Sequence, residues 1–227
     1  MKPVEFPSLA ERDVHVWRVA LDGLHEDWSA ILHAGEMARA ARFVAPVHQK
    51  RYMAGRGMLR ILLSGYLGVQ PADIRLATLP AGKPFVQAPE ADLHFNVSHS
   101  HDRALYAFGR GGEVGVDIER KRPGVDMEAI AGRFFSPREA KVMNASSGQE
   151  ALDLFYGLWT LKEAYAKGTG EGLAELLRME VLPGTVLPAP WRLHRIDLSD
   201  DFAAAVAVEG ERRIRLWEWP LTGGCTL

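Results

Sequence analysis

Two acidic residues stand two apart in the run VGVDIER at 114–120. In an extended strand, alternate side chains share a face. Val114, Val116 and Ile118 then point one way, and Gly115, Asp117 and Glu119 point the other. Neighbouring carboxylates repel unless a cation or water separates them. Hard carboxylate oxygens beside a space-clearing glycine suit Mg²⁺, which keeps waters and binds substrate phosphates. A solvated edge-strand face gives the same pattern, so this segment alone leaves both readings open.

A third acid falls on a stretch whose periodicity predicts a helix, Glu150 to Lys167. At about 100° per residue, Leu152, Tyr156, Trp159, Glu163 and Ala166 form one stripe. Leu154, Leu158, Leu161 and Tyr165 line nearly the opposite side. A helix apolar on two sides is mostly buried, and a lone carboxylate at Glu163 is then costly. One solution is a helix pair with Lys167, four residues on. The other makes Glu163 a third metal ligand or a general base, with Lys167 on a phosphate. Lys162 points away from Glu163 and its role stays open.

Other polar groups flank these acids. In LHFNVSHS, Phe95, Val97 and His99 share one strand face, Asn96 and Ser98 the other. His99 lies where the strand meets its turn, a common place for a ligand contact. AGKP at 81–84 puts Lys83 and Pro84 in a constrained turn. Lys50, Arg51, Arg56 and Arg60 form a basic stretch on a helix that Gly55 and Gly57 interrupt. Those glycines fit close approach of another backbone or a ligand. Histidines 94, 99 and 101 have no second cluster to complete a zinc site. KGTGEG at 167–172 follows a helix and does not open one, so it is no dinucleotide loop.

The elements that position these groups are legible from patterning. Val14–Leu21 reads as a strand. Residues from about Ala34 to Gly68 read as helices broken near Pro46. Leu93–Ser98, Ala104–Phe108 and Val114–Glu119 have the spacing of an antiparallel meander. Ser136, Pro137 and Glu139 carry the capping-box signature of a helix start. Three strands, Trp191–Asp197, Phe202–Val208 and Ile214–Trp219, close the chain. Helices and strands recur in the same order, which suggests an α+β fold of two halves, 1–100 and 101–227.

Composition narrows the classes. The 227 residues carry 27 positive against 29 negative side chains, so no global basic field exists to hold nucleic acid. The single Cys225 excludes an internal disulfide framework and suits a reducing compartment. Charged residues precede any long apolar run, and the apolar runs are too short to span a bilayer. A cytoplasmic protein without a membrane role is expected.

Taken as an ordered set, FNVSHS (95–100), VGVDIE (114–119), FFSPRE (134–139) and LWTLKEAYAKGTGEGL (158–173) resemble the Sfp-type 4′-phosphopantetheinyl transferases. AGKP and the arginine-rich helix match more loosely, and the likeness spans Arg42 to Leu173. The resemblance implies a pseudo-dimer of two similar α+β halves. It implies transfer of phosphopantetheine from coenzyme A to a serine of an apo acyl or peptidyl carrier protein, releasing adenosine 3′,5′-bisphosphate. Asp117, Glu119 and Glu163 then hold Mg²⁺, or Mn²⁺, unless Glu163 is instead the base for the serine. Ser98, His99, Asp117 and Lys167 attend the phosphates, with Lys83 and Pro84 at the nucleotide. Arg51 and Arg56 are candidates for the 3′-phosphate. His99, Glu163 and Lys167 make up the catalytic set, and a monomer is expected. Two rivals use the same residues: a Mg²⁺-dependent nucleotide pyrophosphate hydrolase, and a non-catalytic binder of coenzyme A or carrier.

Overall fold

Runs such as ALYAF at 104–108 and FAAAVAV at 202–208 are apolar at every position, the pattern of strands buried on both faces. The computed structural model describes residues 6–24, 27–80, 82–172, 179–220 and 222–226, the last by backbone alone. Ala81 of the AGKP turn and Leu173 at the end of the helix motif lie outside the described residues.

Strand β1 (Asp13–Ala20) leads through helices α1 (Ala34–Ala40) and α2 (Pro46–Leu67) to the hairpin β2 (Arg75–Thr78) and β3 (Pro84–Ala88). Strands β4 (His94–Ser100), β5 (Arg103–Gly109) and β6 (Val114–Arg120) follow. Helices α3 (Met127–Phe134), α4 (Pro137–Asn144) and α5 (Gly148–Thr169) come next. Strands β7 (Trp191–Arg195), β8 (Phe202–Glu209), β9 (Arg213–Trp219) and β10 (Thr222–Thr226) end the chain. Five strands form one sheet in the order β10-β9-β1-β5-β4, three form another in the order β6-β8-β7, and β2-β3 stand apart.

The two larger sheets stack face to face between the long helices. Trp17, Tyr106 and Phe108 point to one side and pack on Met58, Leu59 and Leu62 of α2. Val14, Val16, Leu105 and Ala107 point to the other and meet Val116, Ile118, Val206 and Val208 of the second sheet. The far face of that sheet offers the small Ala205 and Ala207, which let α5 settle close with Leu158, Leu161 and Tyr165. This mixed α+β architecture is the one the order of elements suggested. The break near Pro46 separates α1 from α2, with Pro46 at the first position of α2, and Gly68 closes α2 at φ 70°. The α4 start also follows its signature, with Ser136 and Glu139 bonded reciprocally as a capping box.

Three features differ from the sequence reading. The meander stops at β5, because β6 leaves the first sheet to pair antiparallel with β8. Helix α3 and strand β10 lie where the patterning predicts no element. The glycines of α2 serve the core. A Cβ at Gly57 would lie 1.9 Å from the Trp28 ring, and the Tyr106 hydroxyl donates to Gly55 O at 2.8 Å. The boundary drawn at 100/101 falls in the β4–β5 turn, inside the first sheet. Among the described residues, no helix is long and apolar enough to cross a membrane.

Helix α5 meets strand β6 at a glycine. A Cβ at Gly115 of β6 would lie 2.0 Å from Ala164 O and 2.3 Å from Gly168 N. Helix α5 thus rests backbone on backbone against β6, one residue from Val116 and two from Asp117. Gly115→Ala is expected to lower stability by about 1–3 kcal/mol through overpacking against immovable backbone. Gly23→Ala, where a Cβ meets nothing within 4 Å, is expected to be near neutral. Urea midpoints of the two variants check this.

Candidate active site

The edge strand β4 and strand β6 belong to different sheets, yet they run side by side. Ordinary ladder bonds do not join them. The polar side chains of β4 take the place of a backbone partner. Asn96 Oδ1 accepts from Val116 N at 3.0 Å, Ser98 Oγ from Ile118 N at 3.4 Å, and Ser100 Oγ from Arg120 N at 3.0 Å. The period of two that sets their spacing is that of the strand itself. Each β6 donor is thereby satisfied, as buried backbone must be.

The two serines of this seam also hold the acids. Ser98 Oγ donates to Asp117 Oδ1 at 2.8 Å, and Ser100 Oγ donates to Glu119 Oε2 at 2.9 Å. Lys167 reaches over from α5. Its ammonium donates to Asp117 Oδ1 at 2.6 Å and to Ser98 Oγ at 3.0 Å. The lysine therefore serves Asp117 on the neighbouring strand, and of the two readings left open for Glu163, the helix pair with Lys167 is replaced by this bridge between elements. Asp117 is 2% exposed, and its Oδ2 is buried without a hydrogen-bond partner.

The charges on the three acids act on one another. Burial pushes the Glu119 carboxyl above its usual range, and the charge of Asp117 adds to the rise. Burial likewise raises that of Glu163, and Asp117 and Glu119 both raise it further against the pull of Lys167. Glu163, half-buried as the helix stripe implied, therefore shares one electrostatic field with both β6 carboxylates. They do not form a ready cage: among the described residues, no group of three or more histidine, cysteine or acidic side chains stands set to hold a metal ion. The donor set still fits one. Carboxylate oxygens are the ligands a hard divalent cation takes. A buried carboxylate oxygen with no partner is costly until a cation or donor meets it. Asp117 Oδ2, with Glu119 and Glu163, are the groups that would hold such an ion.

Two cavities flank this cluster. One, of about 270 Å³, is lined by Gly82, Lys83, Pro84, Asn96, Glu163 and Lys167, among others. The second, of about 390 Å³, is lined by His48, Arg51, Tyr52, His99, Arg120 and Arg122, among others. It is strongly cationic and suits an anion. His99 and Arg51 both line this cavity, although Arg51 is also bonded in two places to Asp22, at 2.7 and 2.6 Å. Arg56 does not line either cavity. Its Nε bonds Glu36 Oε1 at 2.7 Å, and the buried Arg60 takes the other oxygen at 2.8 Å. Glu36 caps α1 and draws both cations to it.

Several participants escaped the sequence reading. Ser100 extends the alternation of Asn96 and Ser98 and was detectable on that ground. Arg120 and Arg122 follow Glu119 directly, as a basic run after the acids. The role left open for Lys162 is structural. Its side chain is fully buried, 3.0 Å from the equally buried Glu139 Oε2, while Glu139 also accepts from Ser136 N and Val181 N. This pair ties α5 to α4 and to the chain at 181, and so holds the helix that presents Glu163.

Comparison with known proteins agrees with the resemblance read from the motifs. A family model described as the 4′-phosphopantetheinyl transferase superfamily matches residues 113–217, and one for the N-terminal part of 4′-phosphopantetheinyl transferase matches residues 17–108. The 4′-phosphopantetheinyl transferase HetI of Nostoc sp. is 40% identical over 220 residues, covering 92% of each chain. The 4′-phosphopantetheinyl transferase Sfp of Bacillus subtilis is 33% identical over 151 residues, 66% of this chain and 65% of its own. A Mus musculus L-aminoadipate-semialdehyde dehydrogenase-phosphopantetheinyl transferase is 33% identical over 185 residues, 77% of this chain and 56% of its own. The cluster of Ser98, Asp117, Glu119, Glu163 and Lys167 lies where the two matched segments meet in space, and the chain belongs to the 4′-phosphopantetheinyl transferase superfamily.

Proposed function

We propose that this enzyme transfers phosphopantetheine from coenzyme A to a serine of an apo acyl or peptidyl carrier protein, with Mg²⁺ (or Mn²⁺) held by Asp117, Glu119 and Glu163. The observation that carries the reading is the buried, partnerless Asp117 Oδ2 inside a group of three mutually coupled carboxylates, with Lys167 beside it. Bound there, a divalent ion would supply positive charge to offset what develops on the leaving phosphate. The products are the holo carrier and adenosine 3′,5′-bisphosphate, and the protein works in the cytoplasm as a monomer.

The chain's own groups have separable tasks. Lys167 lies 32% exposed over the acid cluster and offers its ammonium to a bridging phosphate oxygen. Arg51 and His99, with Arg120 and Arg122, receive the anionic 3′ end of the nucleotide in the cationic cavity. Gly82, Lys83 and Pro84 wall the other cavity, where the base lies. The alternative role for Glu163, off the ion, is that of base: burial and the charges of Asp117 and Glu119 raise its carboxyl, which makes it a better proton acceptor toward a serine than an ordinary carboxylate. Holding the serine in line with the scissile phosphate supplies much of the remaining rate.

The direct test incubates the protein with coenzyme A, Mg²⁺ and a panel of apo carriers, and reads carrier mass. A gain of one phosphopantetheine group is expected. No gain on any carrier contradicts transfer, and adenosine bisphosphate released at the same rate without a carrier favours a hydrolase.

Variants sharpen the roles. Asp117→Ala and Glu163→Gln are each expected to lower kcat by about 10²-fold or more with little change in melting temperature, as for loss of a group that meets transition-state charge. Arg51→Ala is expected to raise KM for coenzyme A roughly tenfold, and less for its 3′-dephospho form, as loss of one charged hydrogen bond would. Arg56→Ala is expected instead to lower stability by about 1 kcal/mol with KM unchanged, because Glu36 is its partner. Steady-state kinetics and thermal unfolding on the same preparations separate the two arginines.

A further inference from the structure

Lys83 stands in a turn that its family resemblance puts beside the nucleotide, and a free ammonium there is an obvious phosphate contact. Its bonding is otherwise. The ammonium donates to Glu113 Oε2 at 2.6 Å, to Gly168 O at 2.8 Å and to Val114 O at 3.2 Å. A lysine has three N–H donors, and all three are spent on protein. The side chain is 9% exposed.

Those three acceptors belong to separate parts of the chain. Gly168 O is a carbonyl in the last turn of α5, where a cation is favoured by the helix dipole. Val114 O opens β6, next to the Gly115 that touches Gly168. Glu113 is itself anchored. Its other oxygen meets His94 Nδ1 at 3.0 Å, and its backbone N–H donates to Glu209 at 2.9 Å. Burial pushes the Glu113 carboxyl up, but His94 and Lys83 outweigh it and hold it down at about 2, so the partner of Lys83 stays charged. The β2–β3 hairpin shares no ladder with either larger sheet, and Lys83 ties its turn to the α5–β6 junction. That junction also sets Lys167, one residue from Gly168.

We propose that Lys83 is a positioning residue, which pins the Gly82–Pro84 turn to Glu113 and to the end of α5 as a fixed wall of the nucleotide cavity, and does not itself neutralise a substrate phosphate. This rests on the transferase reading above. The consequence is that Glu113, which lines neither cavity, matters as much for coenzyme A as Lys83 does. A lysine that meets phosphate directly works without that partner.

The test compares Lys83→Met, Glu113→Gln and the double variant with the unaltered protein, using coenzyme A, its 3′-dephospho form and one apo carrier. Each single variant is expected to raise KM for both nucleotides by the same factor, roughly three- to thirtyfold, the range for one lost charged hydrogen bond. Carrier KM and kcat are expected to stay within about twofold, and the double variant to be no worse than the worse single, since the two residues form one unit. The inference is overturned if Glu113→Gln leaves KM unchanged while Lys83→Met raises it. It is equally overturned if Lys83→Met flattens the salt dependence of coenzyme A binding, the mark of a lost phosphate contact. Glu113→Gln keeps the decision open to measurement should Lys83→Met fail to fold. Absence of transfer by the unaltered protein refutes the transferase reading, and is a different result from either.

Discussion

The seam between β4 and β6 is the constraint on which the rest of the structure depends. Two sheets that share no ladder are joined along one edge because Asn96, Ser98 and Ser100 present side-chain oxygens to the N–H groups of Val116, Ile118 and Arg120. The same alternation that aims these three at β6 aims Phe95 into the core under α2. The serines then have an O–H left over, and each gives it to the nearest carboxylate. One device thus closes the fold between the two sheets and orients two acids of the cluster. Groups locked in this way by their neighbours are the kind a catalytic site needs.

The second sheet supplies the rest of the precision. Gly115 and Gly168 let α5 touch β6 without intervening side chains, so Glu163 and Lys167 approach Asp117 from a fixed direction. The buried Glu139–Lys162 pair restrains the same helix from its other side. Such pairs add little net stability once desolvation is counted, but breaking one leaves an uncompensated charge. The cluster stores repulsion in the carboxyls of Glu119 and Glu163, both raised by burial and by Asp117. Lys167 relieves part of it. A divalent ion bound there would relieve more.

Much of this is legible in the sequence, for identifiable reasons. A period of two in VGVDIER and a two-sided apolar helix at Glu163 depend only on local geometry, and both hold in the structure. The capping box at Ser136 is likewise local. The illegible features are set by contacts remote in sequence. Whether β6 stays beside β5 depends on β8, about ninety residues on, and no short-range pattern encodes that choice. Arg56 and Arg51 look alike on a helix face, and only the capping carboxylate of α1 and Asp22 divide them. The glycines of α2 suggest close approach of another backbone or a ligand, but the side chains of Trp28 and Tyr106 take the space. The sequence puts Lys83 in a constrained turn but does not show its acceptors, because the Val114 and Gly168 carbonyls carry no sequence signature.

The proposed function converges on Asp117, and the sharpest measurement is made there. Crystals of the protein grown with coenzyme A and Mn²⁺ give an anomalous difference map that locates the ion without assumptions. A single peak on Asp117 Oδ2, shared with Glu119 or Glu163 and with the nucleotide's phosphates, is the expected result. Bound nucleotide with Asp117 Oδ2 still buried and unliganded, or an ion held elsewhere, contradicts the convergence of the three acids on one metal.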